Sequence, residues 1–216
     1  MLTDTMTYTE ISKELNKLSI KLAGRRDGWN KKYSKVIHKQ GMNYLSCYKL
    51  NTNLYFILYC GNENYLSGYG FIYLVLRNNR WVAITQGTVD KNFRVEIEIY
   101  EAHFFSRYKE RFNVDKQGIE LICHYFKNNM DIFNKITIQE HNNKTYQLSN
   151  IKGGLAICEV VDIGGKAVWL YKTCICQSLL KEKQIKIKEQ IEIEINEIRR
   201  ADFKYESNPR THRVIK

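Results

Sequence analysis

Between Tyr44 and Tyr100 the chain repeats one pattern: short runs of aromatic and β-branched residues, each closed by Asn- or Gly-rich turn material. The runs are Tyr44–Leu50, Leu54–Cys60, Tyr69–Leu76, Trp81–Thr85 and Phe93–Tyr100, separated by Asn51-Thr-Asn53, Gly61-Asn-Glu-Asn64 and Asn78-Asn79. Runs this short and this β-branched are too brief for helices and fit antiparallel strands. Arg94-Val-Glu-Ile-Glu-Ile-Tyr100 alternates polar and apolar residues strictly, which predicts a strand with one face in water. A second block, Lys135–Glu140, Thr145–Ser149, Leu155–Asp162 and Ala167–Cys176, reads the same way, with Asn142-Asn143 and Gly164-Gly165 as tight turns and Gly153-Gly154 as a break. The pattern leaves open whether the two blocks share one sheet.

Helices flank these blocks. Thr7 and Glu10 form a capping box, and Ile11, Leu15, Leu18 and Leu22 recur at helical spacing behind it, predicting a helix over 8–24 closed by Gly24. A second helix is expected from Trp29 to His38, and another over 116–129. A long final one over 177–203 carries Leu180, Gln184, Ile187, Ile191, Ile195 and Ile198, with a polar, basic tail after it. The fold class is therefore α+β. Its segments are 1–97 (helical pair plus strands), 98–176 (two helices and four strands) and 177–216 (helix and tail), which together could make one compact domain.

The chain of 216 residues has a formal charge of +11, which favours an anionic partner. From Lys13 to Lys39 nine basic residues stand against Glu14 and Asp27, a net of +7. Lys17, Lys21, Arg25, Arg26, Lys31 and Lys32 are the expected nucleic-acid contacts in this stretch. The apolar runs are strand length, far short of a membrane span, so no membrane partner is expected. Met1–Met6 has no basic segment leading into an apolar run, which makes the cytoplasm the expected location. The six cysteines sit mostly within apolar runs and read as reduced thiols. Cys174-x-Cys176, with Cys158 or His124 near, lacks the second ligand pair of a structural zinc site, so no metal and no cofactor is assigned. Phosphate-binding glycine loops, His-Glu-x-x-His and Gly-x-Ser-x-Gly are absent from the sequence.

One segment combines titratable and cationic residues on a helix. In Glu101-Ala-His-Phe-Phe-Ser-Arg-Tyr-Lys-Glu-Arg-Phe112, Phe104, Phe105, Tyr108 and Phe112 fall on one side. His103, Arg107 and Glu110 line the other, with Arg111 on its flank. Histidine titrates near neutrality and arginine offers a fork matching two phosphate oxygens, so the stripe suits proton transfer beside a phosphate. It equally suits an ordinary solvated helix face.

The His103-x-x-x-Arg107-x-x-x-Arg111 helix, a second helix and a four-stranded meander ending in Val168-Trp-Leu-Tyr-Lys-Thr173 resemble small ribonuclease-like domains of the barnase, colicin and RelE toxin superfamily. In particular they resemble uncharacterised bacterial members with the same helix pattern. The resemblance covers roughly residues 98–176. It implies metal-independent RNA cleavage of toxin type, with His103 as acid/base, Arg107 and Arg111 on the phosphate and Thr173 contributing from the last strand. A protein antitoxin would then be a further partner. Tyr171 is expected on the same strand face as Thr173 by period two. The other reading of the sequence is a non-catalytic protein that binds nucleic acid or an acidic partner through its basic surface.

Overall fold

The computed structural model describes residues 6–23, 28, 44–60, 69–86, 97–129, 136–141, 144–162 and 167–206. The fold is α+β. Helix α1 (Tyr8–Ala23) precedes strands β1 (Tyr44–Asn51), β2 (Leu54–Cys60), β3 (Tyr69–Arg77), β4 (Arg80–Gln86) and β5 (Ile97–Tyr100). Helices α2 (Ala102–Arg111) and α3 (Gly118–Asn129) follow. Strands β6 (Ile136–His141), β7 (Lys144–Ile151), β8 (Gly154–Asp162) and β9 (Ala167–Cys176) come next, and α4 (Glu182–Glu206) ends the described chain. The expected helix over 29–38, the Gly24 stop and the basic tail lie outside the described residues, as do the Asn142-Asn143 and Gly164-Gly165 turns.

All the described strands join one sheet in the order β1-β2-β3-β4-β5-β9-β8-β7-β6. Each strand block is an antiparallel meander, and β5 joins them, antiparallel to β4 and parallel to β9. The turns follow from local chemistry. Asn78 and Asn79 take positive φ of 47° and 58°, as a two-residue hairpin between Arg77 and Arg80 requires. At the head of α1, Thr7 N–H donates to Glu10 Oε2 (2.8 Å) and Glu10 N–H donates to Thr7 Oγ1 (3.3 Å), the reciprocal bonds of a capping box.

Alternate residues of the same strands enter two separate cores. On one face, Ile57, Ile72, Leu74 and Ala83 pack with Phe104, Phe105 and Tyr108 of α2 and Leu121, Ile122, Tyr125 and Phe126 of α3. On the other, Phe56, Tyr73, Val75 and Ile84 pack with Ile11, Leu15 and Leu22 of α1. Leu155 of β8 meets Ile191, Leu180 and Ile187 of the α4 segment, while its neighbour Ala156 enters the α2–α3 core. Helices α1 and α4 thus cover one side of the sheet, α2 and α3 the other.

Three expectations change. Strand β5 does not have one face in water: it sits between β4 and β9, with Ile97 and Ile99 buried on the α1 side and Tyr100 buried on the other. Its one interior polar residue, Glu98, accepts from Thr85 Oγ1 (2.8 Å) and the Tyr100 hydroxyl (3.2 Å), which is how a polar residue at an alternating position stays covered. The final helix begins five residues later than expected, after a short 3₁₀ turn at Gln177–Leu179. Helix α2 ends at Arg111, so Phe112 joins the buried side as its half-buried cap, packed beside Tyr108, and not as a residue of the helix.

Candidate functional site

Helix α2 lies along β9 and is fastened to it at both ends. At its start, Glu101 N–H donates to the Tyr171 carbonyl (3.1 Å). At its end, the Arg111 guanidinium donates to Thr173 Oγ1 (3.2 Å) and to the Cys174 carbonyl. The aromatic side is buried: Tyr100 stacks flat on Tyr171 (4.2 Å between centroids, 4° between planes), and Phe104 meets Tyr100, Tyr125 and Tyr171 edge-on. This packing fixes which side of α2 is left in solvent.

That outer side carries His103, Arg107 and Glu110. Arg107 Nε–H donates to His103 Nε2 (3.3 Å), and Arg107 Nη1 pairs with Glu110 Oε2 (2.9 Å). The stripe is a solvent-exposed imidazole–guanidinium–carboxylate ladder. To hold a phosphate, Arg107 would exchange Glu110 for it.

The sequence-derived site residues thus divide. Arg111 and Thr173, 62 positions apart, are in direct contact. His103 and Arg107 touch each other but stand up to two helical turns from Arg111, about 12 Å along the axis. Tyr171 and Thr173 do not follow period two, because an irregularity in the ladder (Ile157 opposite Thr173, Cys158 opposite Tyr171) leaves Lys172 as an extra residue. As a result Tyr171 and Cys174, three apart, both enter the α2–α3 core. The Tyr171 hydroxyl is spent on Ser149 Oγ (3.1 Å), and burial, with Glu98 nearby, raises its pKa well above the usual phenol value. Burial also pushes the Cys174 thiol up to about 12, opposed by the adjacent Arg111.

No family model, curated protein or solved structure matches this chain.

On α1, Lys13, Lys17 and Lys21 follow one another at i, i+4 along the solvent side, all exposed, and Ile20 beside them is 77% exposed. Lys17 is bridged to Glu14 (2.7 Å). Arg25, Arg26, Lys31 and Lys32 lie outside the described residues. Because α1 and α2 cover opposite faces of the sheet, the basic stripe and the His103 ladder belong to different surfaces. No group of three or more metal-ligating side chains occurs among the described residues, and none of the described helices is long and apolar enough to cross a membrane.

Sequence reasoning missed His124 as a neighbour of α2. Its Nδ1 lies 3.5 Å from the Tyr108 hydroxyl, and its pKa is lowered by burial and then by Lys116 and Lys127. The contact crosses between two helices, and spacing within either one carries no signal of it. His124 meets the Tyr108 side of α2, roughly 140° around the helix from His103.

Proposed function

We propose that this protein binds RNA, or another phosphate-bearing polyanion, without cleaving it, through the solvent side of α1 and the basic segment that follows. The observation that carries this reading is the Lys13–Lys17–Lys21 row: its cations point to water along one line while Ile11, Leu15 and Leu22 hold the helix on the sheet. A row of lysines at 6 Å steps suits phosphates as point charges and reads no sequence. The test is fluorescence anisotropy with single-stranded RNA across a salt series. Reversal of Lys17, Lys21, Arg25 and Arg26 to Glu is expected to abolish binding at moderate salt and flatten the salt slope by about 0.7 per lost phosphate contact. Unchanged affinity in that variant refutes the reading.

A second reading, a toxin-type ribonuclease, is favoured by one specific observation: Arg111 and Thr173, assigned to one site by the resemblance, touch across helix and strand. The α-α-β-β-β-β order of α2, α3 and β6–β9 agrees with it. It is weakened by the commitment of both arginines to protein partners. RNA cleavage in the presence of a chelator, or growth arrest on expression relieved by a protein antitoxin, must disappear in a folded His103→Ala variant. A wild-type protein that cleaves nothing and is harmless ends this reading.

A further inference from the structure

We propose that Lys144, Glu159 and Lys172 form a second phosphate grip, in which both ammonium groups hold one phosphodiester of the RNA strand engaged by α1, an inference that rests on α1 binding RNA. Three strands build the grip. Glu159 of β8 takes Lys144 of β7 on Oε1 (2.8 Å) and Lys172 of β9 on Oε2 (2.7 Å). Ion pairs along the helices, such as Arg107–Glu110 and Lys186–Glu182, join residues three or four apart. This one exists only because β7, β8 and β9 pair, with Lys172 as the extra residue in the ladder.

Alternation along β8 sets the face. Ala156, Cys158 and Val160 pack toward the α2–α3 core and Val161 toward the α1 core, so Glu159 is on the α1 side. Leu170 of β9, two residues before Lys172, packs in the same α1 core. The grip therefore stands at the flank of α1, on the face of the sheet that carries Lys13, Lys17 and Lys21. It spans β9 to β7, two strand spacings or about 10 Å.

Charge and exposure suit a backbone phosphate. The Glu159 side chain is 13% exposed, whereas those of Lys144 and Lys172 are 54% and 46% exposed. Hydrogen bonds from Lys144 and Lys172 hold the Glu159 carboxyl below its usual range, and the bond to Glu159 raises both lysines, so all three are ionised at neutral pH. Two ammonium groups against one carboxylate leave one positive charge, which one phosphodiester neutralises. Glu101 is the next acid to act on Lys172, through space. Each ammonium has three donors and gives one to Glu159. The remaining donors are available to the two outer oxygens of a phosphodiester. The carboxylate keeps the two cations side by side before the strand arrives, which lowers the ordering cost of binding.

The experiment follows the anisotropy of a labelled single-stranded RNA of about 16 nucleotides, the long end of a usual site, across a salt series with the full chain. Lys144→Gln with Lys172→Gln should weaken binding several-fold and lower the salt slope by about 0.7, one phosphate contact. Lys144→Arg with Lys172→Arg keeps both charges and should bind like wild type. Glu159→Gln should tighten binding, because the carboxylate no longer competes with phosphate for the two lysines. Lysines that serve only to cover Glu159 predict no such gain. A double Gln variant with wild-type affinity and slope, or a folded Glu159→Gln variant that fails to tighten, overturns the inference and leaves binding by α1 standing. Wild-type protein that binds no RNA at any salt removes the α1 reading and this inference together.

Discussion

Gly154 sets how closely the end of α2 can sit on the sheet, and replacing it with alanine measures that closeness. It is the first residue of β8, buried, and paired with Cys176 of β9. A Cβ there would lie 2.1 Å from the Ile175 carbonyl oxygen, 2.9 Å from Phe112 Cζ and 3.0 Å from Cys176 Cα. Two of these obstacles are backbone, and the third is the residue capping α2 beside Arg111. Restoring ordinary contact with the carbonyl requires the strands to part by roughly 1 Å, which breaks ladder hydrogen bonds at that pair. Overpacking costs about 1–3 kcal/mol and each lost backbone bond about 1 kcal/mol, giving about 2–4 kcal/mol for Gly154→Ala. At roughly 2–4 °C per kcal/mol, Tm should fall by about 5–15 °C. Urea unfolding followed by tryptophan fluorescence gives the number, with Gly153→Ala as control. Gly153 has φ of 79° but its Cβ would find only Phe112 Cε1 at 3.7 Å, so its cost is the left-handed strain alone, about 1–2 kcal/mol. If Gly154→Ala costs no more than Gly153→Ala, the close approach of β8, β9 and Phe112 is not what that glycine permits.

Arg111→Leu removes a charged donor from Thr173 and from the Cys174 carbonyl and should cost about 1.5–3 kcal/mol in urea unfolding, whereas Thr173→Val should cost clearly less because the carbonyl bond survives. Tyr171→Phe leaves the buried Ser149 hydroxyl without that partner and should cost about 1–2 kcal/mol by the same assay. His124 has a depressed pKa, so its contribution is present above the ordinary imidazole value of 6.5 and is lost as pH falls through the lower folded value. The urea midpoint of wild type should therefore fall more steeply than that of His124→Asn between pH 7 and 5, and parallel curves would refute the assignment.

The local parts of this fold were legible and the non-local ones were not. Asn78-Asn79 and the Thr7–Glu10 box act within a few residues, so the sequence carries their whole cause. The α2 stripes were readable for the same reason, since Phe104, Phe105 and Tyr108 are buried and His103 is exposed. Alternation misled at β5 because it reports polarity, while burial depends on partners. Thr85, from the neighbouring strand, and the Tyr100 hydroxyl are what let Glu98 sit inside. The extra residue at Lys172 is set by the pairing with β8 and has no mark in β9 itself. Arg111–Thr173 was reachable only through the resemblance, because the packing of α2 along β9 brings the two residues together.

The two readings of function can be separated because the sheet separates them. Lys17 and Lys21 stand on α1, over the core of Phe56, Tyr73 and Ile84, whereas His103 and Arg107 stand on α2, over the opposite core. Two sites on opposite faces share no partner, and their effects on RNA affinity should add to within about 0.5 kcal/mol. The variants are Lys17→Glu with Lys21→Glu, then His103→Ala with Arg107→Ala, and then all four, each measured by anisotropy at fixed salt. A polyanion held by α1 alone predicts a large loss in the first variant, almost none in the second, and a quadruple variant no worse than the first. A substrate gripped at α2 predicts the reverse order. A coupling well beyond 0.5 kcal/mol would mean that one RNA wraps the sheet edge and contacts both helices, and neither single-surface reading would survive that result.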